Sequence, residues 1–365
     1  MRVLVVNAGS SSVKLSLLGA ADETLAAHEL DAPRAVVDPG VLRRVLGGDL
    51  KGAEAVGHRI VHGGEQFQSA VLVDGDVRAA LGQLTDLAPL HQPKSLAALD
   101  AVEAALPDLP AVACFDTAFH ATLPAAARTY ALPAPWRRRW GLRRYGFHGL
   151  SHAWIARRAP ELLRRDPSDL RIVSCHLGAG ASLCAIAGGR SVATTMGFTP
   201  LEGLVMATRS GSVDPGLLLW LLPRTGLSLE AFNDALEHES GLLGLAHTSD
   251  MREVLAGAHA GKADPALALE VYLHRLRAGI GEMAAGLGGL DVLAFTGGVG
   301  ERAAEIRSGA AQGLEFLGVA LDPAANSAGS GDREITAAGA PVACVVIEAR
   351  EDLEIARQAR GVLGT

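Results

Sequence analysis

The chain has 365 residues, 49% of them hydrophobic and 20% charged, with a formal net charge of −7. That length holds about two ordinary domains, and the acidic balance argues against a nucleic-acid-binding protein. With 43 glycines and 4% aromatics, the composition is that of a globular α/β protein rich in tight turns, neither disordered nor fibrous.

Residues 2–6 (RVLVV) and 13–18 (VKLSLL) are predicted strands, joined by the turn Asn7-Ala8-Gly9-Ser10-Ser11-Ser12. Glycine amides, serine hydroxyls and Lys14 could cradle an anion there, although an ordinary turn is the commoner reading of such a segment taken alone. Lysine is scarce in this chain (Lys14, Lys51, Lys94 and Lys262), so one inside a motif carries weight. Residues 57–64 (GHRIVHGG) set Arg59 in a strand-like run. His58 and His62 have a helical metal-ligand spacing, but Ile60-Val61 and the flanking glycines argue against a helix. A helix is predicted over 94–106, then a strand over Ala111–Phe115 that delivers Asp116 to its carboxyl end, where α/β sheets bind ligands.

Residues 145–152 (YGFHGLSH) place His148 between two glycines ahead of a predicted helix over 151–165. A strand over 171–175 then leads into His176-Leu177-Gly178-Ala179-Gly180-Ala181-Ser182 and another apolar run, a second copy of the first hairpin. The pair reads as a duplicated fold. Residues 206–215 hold Arg209 in a loop of small residues. Helices are predicted over 214–222, 228–236, 266–287 and 301–314, with strands over 292–295 and 342–347. A third glycine turn, residues 295–301 (FTGGVGE), follows one of those strands. Its GxGxxA match is weak, because too little chain follows for a dinucleotide fold; the P-loop pattern is absent, Gly261-Lys262 being followed by Ala263. Cys114, Cys175, Cys184 and Cys344 form no CxxC and read as reduced core thiols of a cytoplasmic protein. No signal peptide is expected, and the longest apolar run, about 217–222, is too short for a membrane span.

Together these blocks resemble the acetokinase family of the actin, Hsp70 and sugar-kinase superfamily. The matching stretches are NAGSSSVK, GHRIVHGGE, LAPLHQP, FDTAFH, YGFHGLSH, HLGAGAS, TMGFTPLEGLVMATRSGSVDP, TSDMRE, FTGGVGE and the C-terminal Glu-Asp-Leu, in the family's order from residue 3 to about 356. The resemblance implies a duplicated actin-like (ribonuclease H-like) α/β fold in two domains with a nucleotide cleft between them. The expected domains are 1–119 completed by 352–365, and 120–351. It implies reversible phosphoryl transfer from ATP to a small acid, with Mg²⁺ (or Mn²⁺) as cofactor, acetate and ATP as binding partners, no nucleic acid or membrane, and a homodimer. Asn7 and Glu351 fall on the metal positions; Asp116, His148 and Arg209 on catalytic ones; Arg59 on the acid's carboxylate. Val61, Leu90, Phe147 and Pro200 match a methyl pocket. Ser10, Ser12, Lys14, His176, Leu177, Gly178, Ala179, Gly180, Asp250, Met251, Arg252, Gly298, Val299, Gly300, Glu301 and Arg302 match nucleotide-binding segments. Ala179, Arg302 and Gln92 each stand where the family usually has asparagine, and the chain is somewhat short near 34–50 and 160–170. Propionate kinase is the near alternative, and an ATP-switched binding module of the same fold a more distant one.

Overall fold

The computed structural model describes residues 1–9, 12–31, 39–89 and 91–365. Two compact units result: Met1–Ala121 with Phe147–Trp154 and Arg350–Thr365, and Thr122–Gly146 with Ile155–Ala349.

The first unit is built on six strands: β1 (Val3–Ala8), β2 (Ser12–Leu18), β3 (Thr24–Asp31), β4 (Ala55–Ile60), β5 (Val71–Leu72) and β6 (Ala111–Phe115). They lie in the order β3-β2-β1-β4-β6-β5. β1, β2 and β3 form an antiparallel meander; β1, β4 and β6 run parallel, and the two-residue β5 closes the edge antiparallel. Alternation sorts the side chains. Leu4, Val6, Leu15, Leu17 and Val56 join one core cluster with Ala98 and Val102 of the helix Gln92–Ala105. The helix Glu351–Leu363 packs at Gly57, where the Ile355 side chain fills the space a Cβ would take.

The hairpin strands reach further than expected. Asn7 pairs with Lys14 inside the β1–β2 ladder, and the Gly9 amide donates to the Ser12 carbonyl (2.8 Å), so the turn proper begins after Ala8. Asn7 therefore sits on a strand, with the rigidity of a sheet position.

The second unit repeats the plan with β7 (Arg171–Leu177), β8 (Ala181–Ala187), β9 (Arg190–Thr194), β10 (Val292–Thr296), β11 (Arg333–Glu334) and β12 (Ala343–Val346), in the order β11-β12-β10-β7-β8-β9. Again a meander opens the sheet, parallel partners follow, and a two-residue antiparallel strand closes the edge. Strand for strand the two sheets match, as the repeated hairpin predicts. The meander also removes the dinucleotide reading, which needs a mostly parallel doubly wound sheet.

The helix expected over 301–314 is two helices, Gly297–Arg302 and Ala304–Ala311, broken at Ala303. The cause is Arg307, only 1% exposed, whose Nη1 donates to the carbonyls of Gly300 (2.8 Å) and Glu301 (2.9 Å). These carbonyls are satisfied from the side instead of by amides one turn on.

All four cysteines are free and buried. Burial pushes the thiols up, to about 12 for Cys184 and Cys344, so they are inert packing groups. Among the described residues no helix is long and apolar enough to cross a membrane.

Candidate active site

In the first unit the carboxyl ends of the parallel strands gather four of the expected residues. Arg59 lies near the end of β4, and Asp116 directly follows β6, its amide bonded to the Ile60 carbonyl (3.0 Å). The Arg59 guanidinium donates to Asp116 Oδ2 from Nε (3.0 Å) and Nη2 (2.5 Å), and from Nη1 to Asn7 Oδ1 (3.1 Å). Asn7 in turn donates through Nδ2 to Glu351 Oε2 (3.2 Å), at the first turn of the C-terminal helix. Burial works against the Arg59 charge, but Asp116 and then Glu351 outweigh it and raise its pKa. Arg59 thus stays cationic at any working pH, held in one plane by two neighbours.

His148 joins this unit on the segment Phe147–Trp154. Its backbone is left-handed, φ 55°, a conformation that costs a non-glycine residue of order 1 kcal/mol and clusters at functional sites. The neighbouring Gly149 amide donates to the Asp116 carbonyl (2.8 Å), and a Cβ at Gly149 would lie 2.1 Å from that oxygen. The close approach explains the second glycine of YGFHG and ties His148 to Asp116.

Phe147 and Val61 are both buried. The Phe147 ring meets His62 edge-on at 5.6 Å, and its carbonyl lies 3.0 Å from His120 Nε2. Val61 falls one residue past the end of β4. His62 Nδ1 accepts from the Gly64 amide (2.8 Å), and burial lowers its pKa to about 4. Gln92 clasps the His62 backbone, donating from Nε2 to the carbonyl (3.2 Å) and accepting from the amide at Oε1 (3.2 Å). Ser12 donates to Glu29 (2.6 Å) on β3, and Lys14 is exposed on β2. Ser10 and Leu90 lie outside the described residues.

The second unit assembles the other group. His176 and Leu177 end β7, and the Gly178 amide donates to the Gly180 carbonyl (2.9 Å) in a tight loop. The Ala179 carbonyl accepts from the Ala207 amide (3.0 Å), which joins that loop to the one bearing Arg209. Gly297 opens the third glycine turn at φ 78°; a Cβ there would come within 2.8 Å of the Leu177 carbonyl. Glu301 pins this turn, its Oε1 accepting from the amides of Gly297 (3.0 Å) and Ala349 (3.0 Å). Gly298, Val299 and Gly300 lie within the short helix, and Arg302 lines an adjacent cavity of about 400 Å³ with Arg307 and Arg333. Asp250 caps the helix Met251–His259 and pairs with the largely exposed Arg252, which lowers the Asp250 pKa to about 2; Met251 is buried.

Arg209 donates from Nη1 to the Pro200 carbonyl (3.1 Å), and its Nε lies 3.2 Å from Glu237 Oε2. The loop carrying Pro200 is braced by Glu202, which accepts from Tyr130 Oη (2.5 Å) and Arg144 Nη2 (2.6 Å). Glu202, Glu237, Tyr130, Arg144 and Arg307 were not picked out from the sequence. Glu202 lies inside the stretch TMGFTPLEGLVMATRSGSVDP, but nothing local marks Arg144, Glu237 or Arg307.

Two sheets of one topology, each opening with a strand–turn–strand hairpin, define a duplicated, actin-like α/β fold. The pattern of the acetokinase family matches residues 25–357. The chain is 51% identical to an acetate kinase of Gloeobacter violaceus over 307 residues, 84% of this chain and 76% of that one. It resembles the crystal structure of Porphyromonas gingivalis acetate kinase with a TM-score of 0.90 at 36% identity, 99% of each chain covered. A propionate kinase from Francisella tularensis matches with a TM-score of 0.91 at 33% identity, again over 99% of each. The chain belongs to the acetokinase family. It is accordingly a kinase, a phosphotransferase with a carboxyl group as acceptor.

Proposed function

We propose that the chain catalyses the reversible, Mg²⁺-dependent transfer of the terminal phosphoryl group of ATP to acetate, giving acetyl phosphate and ADP. The observation that carries this reading is the Arg59 guanidinium, clamped by Asp116 and Asn7 at the carboxyl ends of β4 and β6. Acetate, with a carboxyl pKa of roughly 4–5, is ionised at neutral pH. It needs no general base. What the reaction needs is cancellation of charge while an anion approaches a polyanion. Arg59 holds the acid's carboxylate, and Asp116 keeps that arginine in plane. His148 and Arg209 take the equatorial oxygens of the group in transfer. Ser10, Ser12 and Lys14, the loop 176–180, the turn 298–302 and residues 250–252 bind the nucleotide.

Glu351 and Asn7 offer only hard oxygen ligands, and no cluster of three metal-binding side chains exists among the described residues. That suits Mg²⁺, which takes one or two protein oxygens and fills its shell with water and substrate phosphates. When bound, the ion would neutralise charge on those phosphates; Mn²⁺ would substitute.

Val61, Leu90, Phe147 and Pro200 are assigned to the methyl pocket, which favours acetate; the likeness to a propionate kinase supports propionate as a slower alternative. A hydroxamate assay for acyl phosphate with acetate, propionate and butyrate tests the reading. ATP consumption without any acyl hydroxamate would overturn it. Four buried free thiols fit the reducing cytoplasm. The helices Pro215–Thr225 and Leu229–His238 leave Leu219 75% and Leu229 73% exposed. We assign these exposed apolar side chains to the partner in a homodimer.

A further inference from the structure

A phosphoryl-contacting arginine must be held still, yet Arg209 sits on a loop of small residues. The loop is fastened from outside. The Ser210 amide donates to the Leu236 carbonyl (3.1 Å), the Ser240 amide to the Thr208 carbonyl (2.9 Å), and the Leu242 amide to the Met206 carbonyl (2.9 Å). Thr208 Oγ1 donates to the Glu237 carbonyl (2.8 Å). The end of the helix Leu229–His238 is therefore the bed on which the arginine loop lies.

From that bed one acidic side chain points inward. Glu230, Asp234 and Glu239 are exposed, whereas Glu237 is 6% exposed and its Oε2 lies 3.2 Å from Arg209 Nε. The pair is an ion pair set off the line of the N–H. Burying a carboxylate is costly unless a charge answers it, and helix formation does not call for one at this position. The Pro200 carbonyl holds Nη1 of the same guanidinium. Two anchors on two different nitrogens define the plane of the fork, and a planar fork is what distinguishes arginine from lysine as a binder of phosphoryl oxygens.

We propose that Glu237 is a positioning residue for phosphoryl transfer, holding the Arg209 guanidinium in the plane from which it meets the group in transfer. This rests on the phosphoryl role of Arg209 proposed above. Glu237 touches neither substrate nor nucleotide; it acts through the arginine.

The test is a double-mutant cycle on the full chain, with kcat, both KM values and Tm measured for Glu237→Gln, Arg209→Ala and the double variant. Glu237→Gln is expected to lower kcat about 10-fold, the range seen for outer partners that orient a metal ligand. KM for acetate and ATP should stay within about twofold. In the Arg209→Ala background the same change should leave kcat where it was, because the group it positions is gone. An equal loss in both backgrounds makes Glu237 a support of the fold and overturns the proposal. So does full kcat in Glu237→Gln. Full kcat in Arg209→Ala instead removes the reading of the arginine itself, and the two failures are told apart. Should Glu237→Gln not fold, Glu237→Asp, which keeps the charge on a shorter arm, enters the same cycle with the same expectations.

Discussion

Arg59 and Arg209 are both guanidiniums held by carboxylates, but the two pairs do different work. Asp116 is 1% exposed and answers Arg59 directly. Removing the arginine leaves a buried carboxylate without its cation, a change that costs about 3–5 kcal/mol. Arg59→Ala should therefore lower Tm as well as raise the acetate KM, by roughly 10- to 100-fold for the loss of a charged hydrogen-bond donor worth about 1.5–3 kcal/mol. Adding Asp116→Asn should recover part of the Tm and none of the KM; recovery of both would mean that Arg59 serves only the fold. Arg209→Lys should spare both KM values and cut kcat by about 10²–10³-fold, as for a lost transition-state donor. The methyl pocket is tested at Val61. Val61→Ala should move the ratio of kcat/KM toward propionate by an amount worth about 1–3 kcal/mol, and an unmoved ratio would take Val61 out of the pocket.

At the scale of elements, what the sequence shows clearly is backbone punctuation. Runs of valine and leucine broken by Asn-Ala-Gly and His-Leu-Gly mark both hairpins, because glycine and small polar residues supply the turn that follows an apolar run. Partner choice is less visible. Nothing near Glu237 in the chain says that it answers Arg209, and Arg307 breaks a predicted helix through contacts that only the folded chain creates. The clamp around Arg59 is legible as residues at strand ends, while the bracing of the Arg209 loop by residues 236–242 is not. The side-chain pattern puts Asn7 in a turn because the apolar run stops there, although the backbone ladder continues. Gly297 gives this level its test. A methyl group there would sit 2.8 Å from the Leu177 carbonyl on a left-handed backbone. Gly297→Ala should cost about 1–3 kcal/mol of stability and raise the ATP KM while leaving acetate binding unchanged. An unaltered ATP KM would remove this turn from the nucleotide site.

For the molecule as a whole, acid should be the weak side. His58 and His62 are 1% and 0% exposed, and burial lowers both pKa values from 6.5 to about 4; Asp100 opposes this weakly at His58. The unfolded chain takes up these protons below pH 6.5, and the folded one resists until about pH 4. Stability is thus intact above pH 6.5 and is lost as pH falls toward 4, by on the order of 3 kcal/mol per histidine at most. Tm should fall steadily from pH 7 to pH 5; a flat Tm would mean that neither imidazole is held neutral. The exposed Leu219 and Leu229 set the other expectation. Sedimentation should show a dimer, and Leu219→Arg should shift it to monomer without unfolding.

The first unit is written in three separate stretches of chain, and its last piece is residues 350–365. On the ribosome, β1, β4 and β6 therefore emerge long before the helix Glu351–Leu363 that covers them. Until that helix arrives, the sheet face around Gly57 lacks its cover, and Asn7 lacks its Glu351 partner. A chain released early, ending before residue 350, carries Arg59, Asp116, His148 and Arg209 but neither Glu351 nor the cover that Ile355 provides. Such a product should be captured or degraded instead of accumulating as a half-active kinase. Translation to the last helix thus becomes a condition for assembling the site.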